Sequence, residues 1–180
     1  MFSSMKSTNG HTCGQIFVNN IGFYHFTPMN KESEASNALV EFIQHVGIPS
    51  KIHTDGSKLQ SKGNWAKLIK SYHIKHSFTE PHTPWQNRAE GAIKELKRHT
   101  ARLMRVTNSP KRLWGYCCLL VTRLRNMTPN NYYLAKGQTP HEIVTGDTPD
   151  ISEYCAFTWY EPVWYLDVAS HPQEKKKLGI

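Results

Sequence analysis

The sequence predicts an α/β fold in which a mixed β-sheet is flanked by helices. Two observations lead to this prediction. Near the amino terminus, the turn signal Asn9-Gly10 lies between short segments that read as antiparallel hairpin strands. Further along, segments with helical and with strand character alternate, which is typical of α/β architectures. The 180 residues suffice for one domain, or for one domain and a fragment of another.

The individual elements follow from turn residues, capping residues and periodicity. Asn30 is a candidate N-cap, Ser109 is another with Pro110 at the first helical position, and Thr139 to Glu142 has the pattern of a capping box. The predicted strands are 1–7, 15–18, 23–26, 51–54 and 74–79. The predicted helices are 32–46, 64–72, 86–106, 109–127 and a short one that ends near Gly146.

The chain is strongly basic. Its 22 lysines and arginines exceed its 14 aspartates and glutamates, so the formal net charge is +8 before any of the ten histidines is protonated. This balance favours a polyanionic partner such as nucleic acid, because cations that neutralise phosphates release condensed counterions. A basic protein without a specific partner is the alternative.

No segment of the sequence indicates a membrane or a secretory route. No stretch approaches the roughly 20 consecutive apolar residues of a membrane span. Residues 1–20 contain no long apolar block of the kind found in signal peptides. We therefore expect a protein of the nucleus or cytoplasm without a membrane partner.

The cysteines and histidines do not form a metal-binding pattern. No C-x-x-C pair occurs among the four cysteines, so reduced and mostly buried thiols are predicted. Four histidines lie close together in the sequence, but they lack the spacing and the cysteine partners of a zinc site. Packed imidazoles are the simpler interpretation, although one of them adjoins a predicted strand end and is a candidate to line a site. The cysteines are Cys13, Cys117, Cys118 and Cys155, and the histidines are His53, His73, His76 and His82.

Asp55 is the first candidate catalytic residue. It follows directly on the predicted strand 51–54 and precedes a glycine. In open α/β sheets, functional groups gather at the carboxyl ends of the strands. An ordinary Asp-Gly turn would give the same local sequence, so Asp55 alone does not distinguish a catalytic aspartate from a turn residue.

The second candidate is a stripe on the long predicted helix. At about 100° per residue, Glu90, Lys94 and Lys97 project within about 60° of one another. A solvated helix face with a Glu–Lys pair four residues apart would explain this spacing equally well. The apolar side chains that gather on roughly the opposite side, and that we expect to face the core, are Ala92, Ile93, Leu96 and Leu103.

Together these features resemble the catalytic core of retroviral and retrotransposon integrases. Thr54-Asp55-Gly56 is followed by a predicted helix and strand, and then by Pro84-Trp85-Gln86-Asn87-Arg88-Ala89-Glu90 at the start of the basic helix. The likeness is strongest to copia-type elements, whose glutamate follows a P-x-Q-N-x-x-A-E pattern. It predicts an integrase core over residues 1–146 and a post-core segment over 147–180. The spacing from Asp55 to Glu90 is slightly shorter than is usual in the family, which a loop deletion would accommodate.

The resemblance implies a ribonuclease-H-like fold and a polynucleotidyl transferase that integrates DNA. In this family three carboxylates hold two Mg²⁺ (or Mn²⁺) ions, which prefer oxygen ligands. By the match of motifs, Asp55 and Glu90 are two of those metal ligands and catalytic residues.

The resemblance also implies DNA as a partner. Lys94 and Lys97 match helix positions that contact DNA ends, and Gln86-Asn87 matches a polar pair beside the site. Two further DNA-binding candidates are Lys58, which lies three residues after Asp55, and Arg98, which extends the basic helix. The expected partners are the element ends and target DNA, held through phosphates, and other copies of the chain in a full-length integrase.

The family's first catalytic aspartate has no counterpart in this sequence. Counting back from Asp55 places it at or just before Met1. No Asp or Glu precedes Glu32, and both Glu32 and Glu34 fall at a helix start, where neither is well placed to substitute. We therefore expect a truncated first strand. We also expect a chain that does not cleave or join DNA by itself, because a site that works as a unit loses nearly all its chemistry with one member.

Two other functions fit the same sequence. One is a non-catalytic DNA-binding or interaction module that keeps the basic helix. The other is a different ribonuclease-H-like nuclease or transposase, although the string from Pro84 to Glu90 suits integrases best. In the tail, an aromatic cluster could stack on bases, and a small hydrophobic core is the simpler explanation of it. The cluster comprises Trp159, Tyr160, Trp164 and Tyr165.

Overall fold

A computed structural model describes residues 5–55, 63–79, 88–130, 136–166 and 176–179 of the chain. The strands in these ranges are β1 (Cys13–Val18), β2 (Tyr24–Met29), β3 (Lys51–Thr54), β4 (Lys75–Phe78), β5 (Val163–Leu166) and β6 (Lys176–Gly179). The α-helices are α1 (Ala35–His45), α2 (Gly63–Ser71), α3 (Arg88–Val106), α4 (Trp114–Asn126), α5 (Pro140–Thr145) and α6 (Ser152–Cys155). This combination of small sheets and flanking helices confirms the predicted α/β fold class.

β1 and β2 form an antiparallel hairpin in which Cys13 faces Met29 and Val18 faces Tyr24. Successive side chains of a strand point to opposite faces of a sheet, and helices cover both faces of this hairpin. A Cβ at Gly14 would overlap the ring of Phe26, so the hairpin needs a glycine at this position.

Each face of the hairpin carries its own hydrophobic core. The core on the α1 and α2 side, here called the α1–α2 core, consists of Cys13, Met29, Ala35, Ala38, Leu39, Ile52, Trp65, Ile69 and Ile74. The core on the other side, here called the α3–α4 core, consists of Ile16, Tyr24, Phe26, Ala92, Leu96, Trp114 and Cys118. The hairpin is therefore the layer that the two cores share.

β3 and β4 form a parallel pair in which Lys51 faces Lys75 and Thr54 faces Phe78. α2 lies between them in the chain, as the connection between parallel strands requires. β3 matches its predicted bounds, and β4 lies within the predicted range. Among the described strands no ladder joins this pair to the hairpin, so two small sheets stand where one mixed sheet was expected.

Three local predictions were wrong. Residues 5–7 form no strand; instead the carbonyl of Met5 accepts a hydrogen bond of 3.2 Å from the indole of Trp114. Asn30 does not cap α1, because its backbone N–H donates to Glu34 Oε2 at 2.9 Å and no side chain caps the helix. Ser109 is not an N-cap either, since its hydroxyl accepts from Trp159 Nε1 at 3.1 Å.

The capping box at α5 was predicted correctly. The Thr139 hydroxyl accepts from the backbone N–H of Glu142 at 3.1 Å, and the Glu142 carboxylate accepts from the backbone N–H of Thr139 at 2.8 Å. Gly146 ends the helix with a φ of 84°. In the tail, β5 and β6 form an antiparallel pair. No helix in the described ranges has both the length and the apolar character needed to cross a membrane.

The cysteines behave as small buried side chains, with one exception. Cys13, Cys117 and Cys118 are buried and free, whereas Cys155 is exposed. Burial raises the pKa of Cys117 to about 12 and that of Cys118 to about 11. These two thiols therefore stay protonated at neutral pH and pack as hydrophobic groups.

Candidate active site

A cleft of about 1230 Å³ opens between β1 and β3. Both strands line it along their length, Trp65 from α2 contributes to its wall, and the first turns of α3 border it as well. Asp55 and Glu90 both line this cleft, although they are far apart in the sequence. The fold therefore gathers the two predicted carboxylates at one opening.

Hydrogen bonds hold the end of β3, the strand that Asp55 directly follows. The carbonyl of Thr54 accepts two hydrogen bonds from Thr79, one from its backbone N–H at 2.8 Å and one from its hydroxyl at 3.2 Å. The Thr54 side chain is buried, and its hydroxyl lies 3.0 Å from His76 Nε2. Asp55 is the next residue after this anchored strand end, and it is exposed.

The histidines near this strand form hydrogen bonds within the β3–β4 pair or are exposed. Both ring nitrogens of His53 contact hydroxyls, Nδ1 with Ser77 at 2.9 Å and Nε2 with Thr79 at 3.1 Å. Burial and, to a smaller extent, the neighbouring His53 lower the pKa of His76, which favours the neutral form of its ring. His73 is exposed at the end of α2, and His82 lies outside the described residues. The packed-imidazole interpretation thus accounts for His76, whereas His53 is exposed and lines the cleft, as its place beside the strand end suggested.

Glu90 stands in the first turn of α3 with an exposed side chain. Backbone N–H groups at a helix N-terminus stabilise a nearby carboxylate. Arg88 ties this end of the helix to the β1–β2 turn, because its Nη1 donates to the carbonyl of Asn20 at 3.2 Å. On the opposite side of the helix Ala92 and Leu96 are buried, as the helical spacing predicts.

The predicted DNA-binding residues are distributed unevenly. Lys94 and Arg98 are exposed on α3, and Lys97 on the same helix is half-buried. Arg98 Nη2 lies 3.1 Å from His99 Nε2. Lys94 is one helical turn from Glu90, so a cation adjoins the cleft carboxylate. Lys58, Gln86 and Asn87 lie outside the described residues.

The donor chemistry of the cleft matches a hard divalent cation only in part. Asp55 and Glu90 supply carboxylate oxygens, which Mg²⁺ prefers. Glu32 also lines the cleft, but it lies in a short 3-10 helix that precedes α1, near Cys13. Within the described ranges no three His, Cys, Asp or Glu residues come together as a metal-binding group. Two carboxylates of the right type are thus present, and a third donor does not join them there.

Sequence reasoning missed the role of Glu95. Its Oε1 accepts from Arg125 Nη1 at 2.8 Å, and its Oε2 accepts from the Tyr24 hydroxyl at 3.1 Å. The Arg125 guanidinium also lies 4.4 Å from the Tyr24 ring centroid. Glu95 therefore joins α3, α4 and β2. Both partners of Glu95 are distant in the sequence, so no local sequence pattern predicts these hydrogen bonds.

Trp65 was also missed. Its side chain is only 2% exposed, and its ring stacks on Phe17 with centroids 6.3 Å apart. The indole Nε1 is buried without a hydrogen-bond partner among the described residues. A buried N–H group normally has such a partner, so Trp65 Nε1 is an exception within the α1–α2 core beside the cleft.

Comparison with solved structures identifies the fold. The HTLV-2 integrase catalytic core in complex with magnesium, in its trimeric form, matches with a TM-score of 0.62 and 20% identity, over 78% of this chain and 89% of that chain. The dimeric form of the same core gives 0.56 and 23%, over 74% and 83%. The fold is that of a retroviral integrase catalytic core.

A larger assembly shares this integrase fold. The simian T-cell lymphotropic virus intasome matches with a TM-score of 0.57 and 20% identity, over 90% of this chain and 60% of that chain. No protein-family model matches the sequence, and no curated protein is significantly similar to it. At these identities the likeness establishes the architecture, and the function has to be argued from the cleft.

Proposed function

We propose that this chain is the catalytic-core part of a retrotransposon-type integrase, with the core over residues 1–146 and a post-core segment after it. The supporting observation is that Asp55 and Glu90 line one cleft in a chain with the integrase core fold. The proposed partners are the DNA ends of the element and target DNA, in the nucleus or cytoplasm. The HTLV-2 cores are described in dimeric and trimeric forms, and we propose that the full-length protein is likewise a homo-oligomer.

In this proposal the cleft carboxylates hold divalent metal ions. When bound, a pair of Mg²⁺ or Mn²⁺ ions would promote deprotonation of the attacking hydroxyl and stabilise the leaving oxygen of a displacement at phosphorus. Asp55 contributes its carboxylate from the anchored end of β3, and Glu90 contributes its own from the first turn of α3. Lys94, one turn further along, holds the DNA backbone by its charge, without reading sequence.

We further propose that the isolated chain neither cleaves nor joins DNA. This rests on the two-carboxylate site, since no third ligand joins Asp55 and Glu90 within the described ranges. The test is a strand-transfer assay with the purified chain and a pre-processed DNA end, in Mg²⁺ and in Mn²⁺. Product at the level of a buffer control is expected. Strand transfer above that level, lost in Asp55→Asn, would refute inactivity while supporting the assigned site.

Metal binding tests the site without requiring activity. Titration calorimetry with Mn²⁺ is expected to detect weak binding to the wild-type chain, which Asp55→Asn and Glu90→Gln each abolish. Glu153→Gln, an exposed carboxylate on α6 far along the chain, is the matched control and should leave the isotherm unchanged. Equal binding by all three variants and wild type would contradict the assigned metal ligands.

A second candidate, a non-catalytic DNA-binding module, is favoured by the exposed cations of α3, since Lys94, Arg98, Arg102 and Arg105 are all exposed. DNA affinity is measured by fluorescence anisotropy with a labelled duplex over a range of salt. The double variant Lys94→Ala/Arg98→Ala should lower the slope of log K against log salt by about two, whereas Lys70→Ala on α2 should not. If DNA binding persists without any Mn²⁺ binding, the non-catalytic candidate replaces the integrase proposal.

A further inference from the structure

Arg88, the first residue of α3, places a cation at one end of the cleft. Ala92, one helical turn further along, is buried against the hairpin. Arg88 therefore continues the buried face of α3 past the core, toward the β1–β2 turn, and does not belong to the exposed face that carries Lys94. Asn20 of that turn lines the cleft as well. The side chain of Arg88 is thus a point of positive charge at the cleft that is separate from Lys94.

One hydrogen bond holds this side chain and leaves most of its donors available. Arg88 Nη1 donates to the backbone carbonyl of Asn20 at 3.2 Å, across 68 positions of the sequence. A guanidinium carries five N–H donors in a planar fork. Among the described residues, Asn20 is the one hydrogen-bond partner of this fork, and the side chain is exposed. The edge formed by Nε and Nη2 is therefore open to a ligand in the cleft.

The stability of α3 does not explain a cation at this position. Backbone N–H groups at the start of a helix already carry partial positive charge, so a cation is unfavourable there. A hydrogen bond in an exposed setting contributes little, because water competes for both partners. Glu90, two residues further along, carries the charge that does favour this end of the helix. A cation that the helix does not need, held in place by the hairpin, suits an anionic ligand.

The charges that line the cleft indicate the class of ligand. Among the described residues its carboxylates are Glu32, Asp55 and Glu90, and its lysines and arginines are Lys51 and Arg88. Arg88 is the cation nearest in sequence to a candidate metal ligand, because it lies two residues before Glu90. The edge of a guanidinium matches two oxygens of a phosphate, and paired N–H···O bonds to both are the strong form of this contact. The ligand class is therefore a phosphodiester, as in the backbone of DNA.

We propose that Arg88 is a positioning residue that holds one phosphate of the DNA backbone in the cleft, while the carbonyl of Asn20 holds Arg88. The inference rests on the proposed function, because DNA is its ligand. A side chain that is already anchored loses less conformational freedom on binding than a free one. Lys94 supplies a point charge on the exposed face of α3, whereas Arg88 ties the DNA backbone to the hairpin.

A charge-removing variant measures this contact in solution. The probe is a fluorescein-labelled DNA duplex, whose anisotropy is measured with the full 180-residue chain in Mn²⁺ over a range of salt. Arg88→Gln keeps an amide that can donate to Asn20 but loses the charge. It should weaken binding by about tenfold and lower the slope of log K against log salt by about one.

The matched control is Arg112→Gln, which removes an exposed arginine from the short 3-10 helix before α4. Arg112 does not line the cleft, so this variant should bind the duplex within about twofold of the wild type. Equal losses in the two variants would overturn the proposal, because they would show a general effect of net charge. So would unchanged binding in Arg88→Gln.

A conservative variant separates position from charge. Arg88→Lys keeps the charge and should therefore keep the salt slope. A lysine cannot hold the carbonyl of Asn20 and two phosphate oxygens together, so the affinity for the duplex should fall by about threefold or more. Far-ultraviolet circular dichroism and a thermal melt establish that the variants are folded. Full wild-type affinity in Arg88→Lys would refute a positioning role, since charge alone would then account for the effect.

Chemical protection gives a readout that needs no variant. Phenylglyoxal modifies accessible arginine side chains, and mass spectrometry of peptides measures the rate at each arginine. In the wild-type chain, bound duplex should slow the modification of Arg88 and leave that of Arg112 unchanged. Equal rates at Arg88 with and without the duplex would overturn the proposal.

These measurements distinguish a failure of this inference from a failure of the proposed function. If Lys94→Ala/Arg98→Ala weakens duplex binding while the Arg88 variants and the protection experiment show no effect, only this inference fails. A wild-type chain that binds no duplex at all would refute both.

Discussion

The two faces of the β1–β2 hairpin differ in how fully their polar groups are satisfied. On the α3–α4 face, Asn126 exchanges hydrogen bonds of 2.8 and 2.7 Å with the backbone of Tyr24, and Glu95 bonds to Arg125 and Tyr24. On the α1–α2 face, His25 Nε2, Thr27 Oγ1 and Trp65 Nε1 are buried without a partner among the described residues, whereas on the α3–α4 face this is true of Arg125 Nε alone.

The cleft borders both faces. Cys13, Ile52 and Trp65 of the α1–α2 core line it, and Ile16 of the α3–α4 core lines it as well. The α3–α4 face differs in that side-chain hydrogen bonds join it to residues distant in the chain, so it is the more fully hydrogen-bonded of the two. The same contrast separates two carboxylates of α3, since Glu95 is bonded within the protein and Glu90 lines the cleft.

Removing a buried leucine from each core gives the largest expected effect. Leu96 is 1% exposed in the α3–α4 core, and Leu39 is 0% exposed in the α1–α2 core. Each Leu→Ala change should cost about 2–5 kcal/mol of unfolding free energy, depending on how far the surroundings collapse. We expect Leu96→Ala near the upper end and Leu39→Ala near the lower end, because the cleft allows its walls to relax. Urea unfolding measures both, and a larger loss in Leu39→Ala would contradict the comparison.

A matched pair of glutamates on one helix tests the contrast within α3. Glu95→Ala removes the acceptor of both Arg125 and Tyr24 and should lower the unfolding free energy by about 1–3 kcal/mol. Glu90→Ala, which alters an exposed side chain at the cleft, should change it by no more than about 0.5 kcal/mol. Both values come from urea unfolding at neutral pH. Equal losses in the two variants would mean that Glu90 is as much a structural residue as Glu95.

Two buried threonines test the unsatisfied face directly. Thr27 has a hydroxyl without a partner among the described residues, whereas the hydroxyl of Thr122 donates to the carbonyl of Cys118 at 2.7 Å. Thr27→Val should therefore raise the unfolding free energy by about 1 kcal/mol, and Thr122→Val should lower it by about 1 kcal/mol. Opposite signs in thermal and urea unfolding are the expected result. A loss in Thr27→Val as large as that in Thr122→Val would show that its hydroxyl is satisfied.

Local patterns were enough to predict most of the fold. β3, the capping box of α5 and the buried side of α3 depend on periodicity and on residues within one turn of each other, and these predictions were correct. The errors arose where a distant partner competes for a local group. Ser109 fits an N-cap by sequence, but Trp159 takes its hydroxyl, and that contact joins residues 50 positions apart.

The candidate site was predictable to the extent that it rests on motifs. Asp55 and Glu90 were selected by their sequence settings, and the fold places both at one cleft. The unpartnered indole of Trp65 was not predictable, because burial without a partner depends on how β1, β3 and α2 pack around it. A sequence contains the donors, and only the fold shows which of them remain unused.

Acid should affect the two faces of the hairpin unequally, and this is the smallest effect we expect. Burial lowers the pKa of His25 below its ordinary value of 6.5, nearby His45 lowers it further, and Glu41 opposes both. The buried, neutral ring of His25 therefore contributes its full stability above the pKa that this histidine has in the unfolded chain. That stability is lost as the pH falls toward the lower pKa of the folded state. Because the ring is only partly buried, the loss should be modest.

Urea midpoints measured from about pH 7.5 to pH 5 should fall in the wild type and fall less in His25→Gln. His45→Gln removes a neighbouring charge but keeps the buried ring, so it should retain most of the slope. If the urea midpoint of His25→Gln fell with pH as steeply as that of the wild type, the acid sensitivity would come from another group.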